Sequence, residues 1–413
     1  MTRDAVGIED LNVYCGIARI SVREMFQGRG LAPSRYDNLM MTQRSVQLPW
    51  EDPITNAVNA ARPIVEALGG DERDRIELLV TSTESGVDYS KSVASYVHKY
   101  LGLSRRCRIM EVKQACYGAT GMLQLATGYL AGTARPGTKA LVIATDVNPM
   151  DEYAHYAEST TGHGAAAVLV SDEPRVLKLD VGAYGLHGFE TMDTARPLPD
   201  LDLYHPELSL LTYLECLAGS FQDYRAQVPG ADFVSSFDHI VMHSPFGGMV
   251  RAAHRKMMRD LSASRPEAIA ADFARRVLPS LAYVREVGNM CSGSIFLALA
   301  GLVDTVPDVA GATVGLYAYG SGCASEFFSG VLAPTATGTL AAKGIGARLA
   351  ARRPLSFAEY AKLLPVTRTA LVPTANRDVD LSEFDEYVPP SDDRRPMLAL
   401  TSVEDYRRTY QWC

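Results

Sequence analysis

Residues 111–120 of the chain, Glu-Val-Lys-Gln-Ala-Cys-Tyr-Gly-Ala-Thr, place a single cysteine, Cys116, between two segments of different character. The apolar run before it, residues 107–112, predicts a strand, and the helix formers of residues 121–126 predict a helix. Because the first N–H groups of a helix carry partial positive charge, a thiol at such a turn is expected to be more acidic than a free thiol and to act as a nucleophile. A small buried cysteine that only fills space gives the same pattern, so position alone leaves both interpretations open.

The composition is typical of a globular protein with a substantial core, since 47% of the 413 residues are apolar and 21% are charged. This length predicts two or three domains, or one large fold built from two halves. The cysteines are odd in number and form no C-x-x-C pair, which argues against a disulfide framework and a structural zinc and for a reducing, cytoplasmic compartment. The histidines other than His243 show no metal-ligand spacing, so we expect no metal. The seven cysteines are Cys15, Cys107, Cys116, Cys216, Cys291, Cys323 and Cys413.

Charge and hydropathy exclude two further classes of partner. The net charge of −8 argues against a general nucleic-acid binder. No run approaches 18 apolar residues and the first ten residues lack a signal-peptide core, so we expect no membrane partner. Two basic segments, residues 91–108 and 251–259, nevertheless indicate recognition of an anion or an acidic protein surface, although solvated helix faces give the same pattern.

A weak internal repeat organises the chain into two halves. In each half three polar turns follow one another in matching order. Apolar runs lead into all three turns of the first half and into the first and third turns of the second half, where the middle turn, residues 286–293, opens an apolar helix. Alternating strands and helices predict α/β layering, and sites in such sheets gather at the C-terminal ends of strands. Two pseudo-symmetric halves would therefore bring five side chains to one cleft: Glu84, Cys116, His243, Asn289 and Ser321.

These residue types suit acyl transfer. A thiolate and a histidine together form acyl-enzymes, and Asn289 beside the histidine can hold a carbonyl oxygen. A backbone N–H at Ser321 and Gly322 can stabilise an oxyanion, and Glu84 can move protons at carbon or oxygen. Other interpretations stay open at this point: a helix cap at Glu84, a satisfied core histidine at His243, and a turn held by Asn289.

Four passages resemble the 3-hydroxy-3-methylglutaryl-CoA synthase family of the thiolase superfamily. They are Lys-Gln-Ala-Cys-Tyr-Gly at residues 113–118, His-Ser-Pro-Phe at 243–246, Gly-Asn at 288–289 and Tyr-Gly-Ser-Gly at 319–322. The resemblance covers nearly the whole chain. It is strongest toward the branch of the family that serves polyketide assembly lines, through residues 37–41, 51–61 and 245–254.

The resemblance implies a fold and a subunit arrangement. The fold is α/β, a thiolase-like αβαβα layered structure of two pseudo-symmetric halves. Residues 1–172 would form the N-terminal half with Glu84 and Cys116. Residues 173–335 would form the C-terminal half with His243, Asn289 and Ser321, and residues 336–413 a C-terminal extension. A homodimer is also implied.

The resemblance further implies an aldol-type condensation. Cys116 would take an acetyl group from a donor thioester, and Glu84 would remove a proton from its methyl group. The resulting enolate would attack the β-ketone of a second thioester, protonated through His243 with Asn289 nearby. Backbone N–H groups near Cys116 and Ser321 would stabilise the enolate, and water would release the new carboxylate.

The carriers of the two acyl groups are implied separately. Family members that use coenzyme A commonly have a lysine five positions after the catalytic histidine, and here that position is Gly248. The basic stretch that follows would suit acidic acyl carrier proteins, whose phosphopantetheine holds both donor and acceptor, so no cofactor of the enzyme's own is expected. The candidate docking residues are Arg251, His254, Arg255, Lys256 and Arg259.

Two passages depart from the family pattern. Ala119 stands where the family usually has a second glycine after the cysteine. The passage 147–156 lacks the expected pattern, so a tyrosine of the acyl pocket is assigned only as a guess to Tyr153 or Tyr156. Both departures leave open a donor larger than acetyl, such as propionyl.

Four other functions stay open at this stage. A chain-initiating ketosynthase also uses Cys, His and Asn in this order, but it has no use for a carboxylate at Glu84. A coenzyme A-dependent synthase of isoprenoid metabolism shares the family. A degradative thiolase needs a second cysteine, for which Cys323 is the candidate. A carrier-binding scaffold without catalysis is the fourth.

Overall fold

The computed structural model describes residues 5–148, 154, 157–388 and 396–413. Tyr153 and Tyr156 lie outside the described residues. The strands up to residue 171 are β1 (Gly7–Tyr14), β2 (Ala18–Ser21), β3 (Gln43–Val46), β4 (Ile76–Ser82), β5 (Arg108–Val112), β6 (Lys139–Asp146) and β7 (Gly164–Ser171). The helices of this part are α1 (Val22–Arg29), α2 (Tyr36–Leu39), α3 (Pro53–Ala67), α4 (Gly70–Arg73), α5 (Val93–Tyr100) and α6 (Gly118–Gly132).

The next part of the chain runs to residue 332. Its strands are β8 (Leu177–Gly188), β9 (Thr194–Leu198), β10 (Leu201–Tyr204), β11 (His239–Met242), β12 (Thr313–Gly320) and β13 (Ala324–Leu332). Its helices are α7 (Pro206–Gln227), α8 (Gly247–Leu261), α9 (Pro266–Arg276), α10 (Leu281–Val287) and α11 (Ser294–Thr305).

The C-terminal part adds short elements. They are α12 (Ala336–Ala341), α13 (Ile345–Ala351), β14 (Arg353–Pro354), α14 (Phe357–Arg368), β15 (Arg377–Asp378), α15 (Phe384–Tyr387), β16 (Leu398–Glu404) and β17 (Arg407–Trp412). Short 3-10 helices also form in the chain, at Pro33–Arg35, Leu278–Ser280 and Cys291–Gly293.

The main sheet shows the predicted repeat. Among the described residues its strand order is β11-β12-β13-β8-β1-β7-β6-β4-β5, and the halves join where β1 pairs with β8. Outward from this junction, each half has two antiparallel pairings followed by a parallel one. Only the first half then adds a further parallel strand, β5. The expected boundary between residues 172 and 173 falls between β7 and β8.

Side chains alternate across the central strands and so define the layers. Val80 of β4 lies in one apolar cluster with α6 and α11, whereas its neighbour Leu79 packs with α3 and α5. In the second half, Leu316 of β12 faces the cluster that contains α11, and Tyr317 packs with α7 and α8. The molecule therefore has five layers. Helices α3 and α5 cover the first half-sheet, α6 and α11 lie between the two half-sheets, and α7 and α8 cover the second half-sheet. This is the αβαβα arrangement that the family resemblance implies.

Local sequence explains how several of these elements form. Both β6 and β7 are buried along their whole length, because helices cover both faces of the sheet. The middle-layer helix α11 is buried on all sides from residue 294 to 303, in keeping with its nearly uniform apolar sequence. Asp52 begins α3 with a capping box, in which its carboxylate accepts the backbone N–H groups of Ile54 and Thr55 at 2.9 Å. Among the described helices, none has the length and apolarity needed to cross a bilayer.

Candidate active site

The turn that carries Cys116 lies between β5 and α6, as predicted. Two glycines allow the surrounding elements to approach it. A Cβ at Gly118 would lie 2.5 Å from the Ser82 hydroxyl at the end of β4. A Cβ at Gly320, the last residue of β12, would lie 2.5 Å from the carbonyl oxygen of Gln114 and 2.7 Å from the backbone nitrogen of Tyr117. The glycine-rich end of β12 therefore packs directly on the cysteine turn and brings Ser321 to it.

Glu84 is the nearest carboxylate to the cysteine. The Cys116 thiol donates a hydrogen bond to Glu84 Oε1 at 3.4 Å. The Glu84 backbone is fixed from both sides, since its N–H donates to Asp146 Oδ1 at 2.7 Å and its carbonyl accepts from Arg196 Nη1 at 3.2 Å. Arg196 is in turn paired with Asp202 across the β9–β10 hairpin. The sequence interpretation did not assign Asp146, Arg196 or Asp202 to the site.

The expectation of an acidic thiol is wrong. The strongest single influence on Cys116, the neighbouring thiol of Cys291, lowers its pKa. Burial and the negative charges of Glu84 and Asp146 outweigh that effect and raise the pKa of Cys116 to about 11. The thiol is therefore protonated at neutral pH and needs a base when it attacks.

Asp146 is the buried support of the turn that carries Glu84. Its Oδ1 accepts three hydrogen bonds, from the Thr83 hydroxyl at 3.1 Å, the Glu84 N–H and the Ser85 hydroxyl at 3.0 Å. Burial first, and then the charge of Glu84, raise the pKa of Asp146 to about 8. Asp146 therefore holds the Glu84 backbone as a largely neutral carboxyl group.

Cys291 is a second cysteine at the site, which the sequence interpretation missed. It is 4% exposed, begins a 3-10 helix at φ +49°, and donates from its thiol to Asn148 Oδ1 at 3.5 Å. One carboxylate oxygen of Glu84 and the two sulfur atoms of Cys116 and Cys291 all lie within 4.8 Å of one another. The sequence could have indicated Cys291 as a site residue by its position two residues after Asn289, in the turn that corresponds to the turn of Cys116.

His243 follows strand β11, and Asn289 lies in the turn that leads into helix α11, as predicted. The Asn289 Oδ1 accepts a hydrogen bond from the Ser294 hydroxyl at 2.9 Å, and its backbone N–H donates to the carbonyl of Thr160 at 2.8 Å. His243 directly follows β11 and is 1% exposed; burial lowers its pKa to about 3, so its imidazole is neutral at pH 7. Within the described residues, the His243 Nδ1 has no hydrogen-bond partner.

The oxyanion assignment is wrong for Gly322. Its N–H donates to Asp193 Oδ1 at 2.9 Å, and the other oxygen of Asp193 accepts the Tyr319 hydroxyl at 2.5 Å. This N–H is therefore occupied by a protein carboxylate. Ser321, at the cysteine turn, stays the candidate donor of that loop.

The second cysteine required by a degradative thiolase is not Cys323. Its sulfur lies 3.4 Å from that of Cys216 on α7, in the apolar cluster under the second half-sheet. The thiol next to Cys116 belongs instead to Cys291.

The candidate docking residues divide between the two faces of α8. Arg251, Arg255, Lys256 and Arg259 are exposed, and Lys256 pairs with Asp260 one turn along the helix. His254 is wrong as a docking residue, because it is fully buried and its Nε2 is hydrogen-bonded to Asp272 at 2.8 Å.

Gly248 has a steric role at the start of the same helix. A Cβ at this position would lie 1.8 Å from the carbonyl oxygen of Asn38. The local backbone thus excludes a lysine at Gly248 without a shift of the 38–41 segment.

Comparison with known proteins identifies the family. Residues 3–174 match the model of the family described as hydroxymethylglutaryl-coenzyme A synthase N terminal, and residues 257–376 match that of its C terminal. The chain is 42% identical over 417 residues to the polyketide biosynthesis 3-hydroxy-3-methylglutaryl-ACP synthase PksG of Bacillus subtilis (strain 168), covering 99% of each chain. It is 31% identical over 395 residues to the hydroxymethylglutaryl-CoA synthase of Enterococcus faecalis, covering 92% of this chain and 95% of the other.

A solved structure has the same fold over nearly the whole chain. The curacin biosynthetic pathway HMG synthase in complex with acetyl donor-ACP has a TM-score of 0.95 and 43% identity. The match covers 99% of this chain and 100% of that chain.

Proposed function

The chain belongs to the hydroxymethylglutaryl-CoA synthase family, whose members are enzymes that form carbon–carbon bonds, and from this premise we propose that it installs a β-branch on a polyketide intermediate. The acetyl donor and the β-ketoacyl acceptor are both carried on acyl carrier proteins. The observation that carries the proposal is the 3.4 Å contact between the Cys116 thiol and Glu84, because it joins an acyl acceptor to a base.

The first half-reaction loads the cysteine. Glu84 accepts the thiol proton as the Cys116 sulfur attacks the acetyl thioester, which overcomes a thiol pKa of about 11. The carrier thiol leaves and takes that proton. Glu84 is then a carboxylate again, beside the new acetyl group.

The second half-reaction forms the carbon–carbon bond. Glu84 removes a proton from the acetyl methyl group, and the enolate attacks the β-carbonyl carbon of the acceptor. The neutral His243 imidazole donates its N–H to the acceptor carbonyl and relays to the resulting alkoxide the proton that Glu84 took from the methyl group, so the imidazole ends neutral. Asn289 orients the carbonyl, and the Ser321 N–H stabilises the enolate oxygen. Water then cleaves the Cys116 thioester, which leaves a free carboxylate on the product and returns the thiol.

Carrier proteins are preferred to coenzyme A for three reasons. Two relatives similar over the full length are a 3-hydroxy-3-methylglutaryl-ACP synthase and an HMG synthase solved with acetyl donor-ACP. At Gly248, the Asn38 carbonyl leaves no room for the side chain of the lysine that family members using coenzyme A commonly have at this position. The exposed residues Arg251, Arg255 and Arg259 supply a basic surface for an acidic carrier.

A homodimer would cover the open edge of the main sheet. The outer side of β5 pairs with no strand among the described residues, and Ile109 and Met110 on it are 37% and 39% exposed. Leu125 on the adjacent α6 is 67% exposed. An open edge with apolar side chains favours pairing with a second chain. We expect Ile109→Lys to shift the protein from dimer to monomer in sedimentation; a wild type that sediments as a monomer contradicts this assignment.

The cytoplasm is the compartment that suits this chemistry. All seven cysteines are free thiols, and a reducing compartment keeps them so.

Mass spectrometry of the carrier-bound acceptor tests the function. Incubation with acetyl-carrier and a β-ketoacyl-carrier should add one acetate unit, with a free carboxylate, to the acceptor. An acceptor that stays unchanged with acetyl and propionyl donors contradicts the proposal. Decarboxylation of malonyl-carrier, without any product from acetyl-carrier, would support the ketosynthase instead.

Charge reversal tests carrier docking. The double variant Arg251→Glu/Arg255→Glu should raise the KM for acetyl-carrier with little change in kcat. The matched control, Arg225→Glu/Lys362→Glu, reverses two exposed charges on α7 and α14 and should leave the KM unchanged. Equal KM values for the two double variants contradict docking at α8.

A further inference from the structure

Three ligand atoms of the kind that bind zinc meet in the active-site cleft. They are a carboxylate oxygen of Glu84 and the sulfur atoms of Cys116 and Cys291, all within 4.8 Å of one another. The three residues come from three separate turns, after β4, β5 and α10, so no spacing motif along the chain reveals them. The expectation of no metal rested on such spacing.

The separations fit a zinc ion. With Zn–S near 2.3 Å and Zn–O near 2.1 Å, the ligand atoms of a tetrahedral site lie roughly 3.5–3.8 Å apart. The Cys116–Glu84 distance is 3.4 Å, and the other separations are within 4.8 Å. Two thiolates and one carboxylate select zinc over Mg²⁺, which prefers oxygen ligands.

The ligands are held in place by their neighbours. Asn148 accepts the Cys291 thiol, and Asp146 and Arg196 fix the Glu84 backbone. Glu84 and Cys116 are partly exposed, whereas Cys291 is buried beneath them. A hydrated ion can therefore enter from the substrate side and keep water as its fourth ligand.

We propose that Glu84, Cys116 and Cys291 form an inhibitory zinc site. Each Zn–S bond replaces one thiol proton, which leaves to solvent, and the Glu84 oxygen replaces a water of the ion. The bound ion occupies both the nucleophile and the base, so zinc and acetylation of Cys116 exclude each other. The inhibitory consequence rests on the proposed function; zinc binding itself does not.

Zinc binding to the full-length protein can be measured by competition with a chromophoric chelator. We expect one Zn²⁺ per chain, and Cys291→Ala should weaken the affinity at least as much as loss of an outer-shell partner, about 10–100-fold. The matched control is Cys216→Ala, which removes one thiol of the other close pair and should leave the affinity unchanged. Equal affinity in wild type and Cys291→Ala overturns the proposal, and so does loss of affinity in Cys216→Ala alone.

Two measurements on the wild-type chain test the zinc site without relying on a variant that could misfold. Co²⁺ in place of zinc should give a sulfur-to-cobalt charge-transfer absorption, and carboxamidomethylation of Cys116 by iodoacetamide should abolish both that absorption and zinc binding. Zinc that binds equally well after this alkylation overturns the proposal. Because these measurements need no turnover, they stay decisive if the acyl-transfer function fails. Mg²⁺ at the same concentration should not compete.

Discussion

The turn of Cys116 and the turn of Cys291 are built alike but differ in what faces their thiols. Both lead into a middle-layer helix, and both hold a non-glycine residue in the left-handed region, Ala115 at φ +44° and Cys291 at φ +49°. The first turn follows the strand β5, whereas the second follows the helix α10. Cys116 is partly exposed and contacts a carboxylate; Cys291 is buried and contacts an amide. Two turns that lead into the middle layer thus hold a thiol beside a carboxylate in one half and a buried thiol beside an amide in the other.

The largest difference between the turns should appear in acylation. Cys116→Ala should abolish the acetyl adduct in intact-protein mass spectrometry after incubation with acetyl-carrier, whereas Cys291→Ala should still form it. An adduct on Cys116→Ala would place the nucleophile elsewhere.

Replacing the base should separate the two half-reactions. Glu84→Gln should slow loading yet still accumulate the adduct, and carbon–carbon bond formation should fall by roughly 10²–10⁴-fold, the usual contribution of a general base. Condensation at the wild-type rate in Glu84→Gln would remove this carboxylate from the mechanism.

The groups that support the surroundings of the two thiols differ in whether they can titrate. Asp146 fixes the turn of Glu84, which faces Cys116, and Asn148 accepts the Cys291 thiol. The pKa of Asp146 is raised from 3.8 to about 8 in the folded state, so the folded protein keeps its proton where the unfolded chain has lost it. The free energy of unfolding therefore decreases as pH rises between these two values, at up to about 1.4 kcal/mol per pH unit.

Asp146→Asn keeps an Oδ1 acceptor for the three hydrogen bonds and removes the titration. Thermal unfolding from pH 5 to pH 8.5 should show the wild type losing stability relative to this variant. The quantity to compare is the difference in stability between the two proteins at each pH, because the other buried groups titrate equally in both. A difference that stays constant with pH would mean that Asp146 is ionised throughout.

The sequence predicts the fold well and the site only in part. The strand ends at Ser82, Val112, Asp146, Met242 and Gly320 follow from apolar runs, although β5 is a largely exposed edge strand. Cys291 and Arg196 could not be found this way, because their roles depend on contacts between separate turns. The prediction that Cys116 is an acidic thiol is wrong for a related reason. That prediction considers only the helix after the cysteine, whereas burial and two carboxylates outside that helix raise the pKa of the thiol.

The packing between β12 and the first turn predicts an effect of intermediate size. Gly320→Ala would place a methyl group 2.5 Å from the Gln114 carbonyl, so the free energy of unfolding should fall by about 1–3 kcal/mol, as for an overpacked core. Gly128→Ala on α6 is the matched control, since no atom lies within 4 Å of its added Cβ. It should raise stability by about 0.5–1 kcal/mol. Chemical denaturation measures both, and equal effects of the two substitutions would contradict the close approach.

The smallest expected effect is that of the hydrogen bond between the end of β4, which packs against the first turn, and the second turn. The buried hydroxyls of Ser82 and Ser292 lie 3.2 Å apart, and Ser82 also contacts Gly118 beyond the nucleophile. Either Ser→Ala change alone leaves a buried hydroxyl without its partner, at a cost of about 1–3 kcal/mol, whereas the double variant loses both groups and should cost less than the sum. A double-mutant cycle in chemical denaturation should therefore give a coupling near 1 kcal/mol. A coupling of zero would mean that the contact between Ser82 and Ser292 does not stabilise the turn of Cys291.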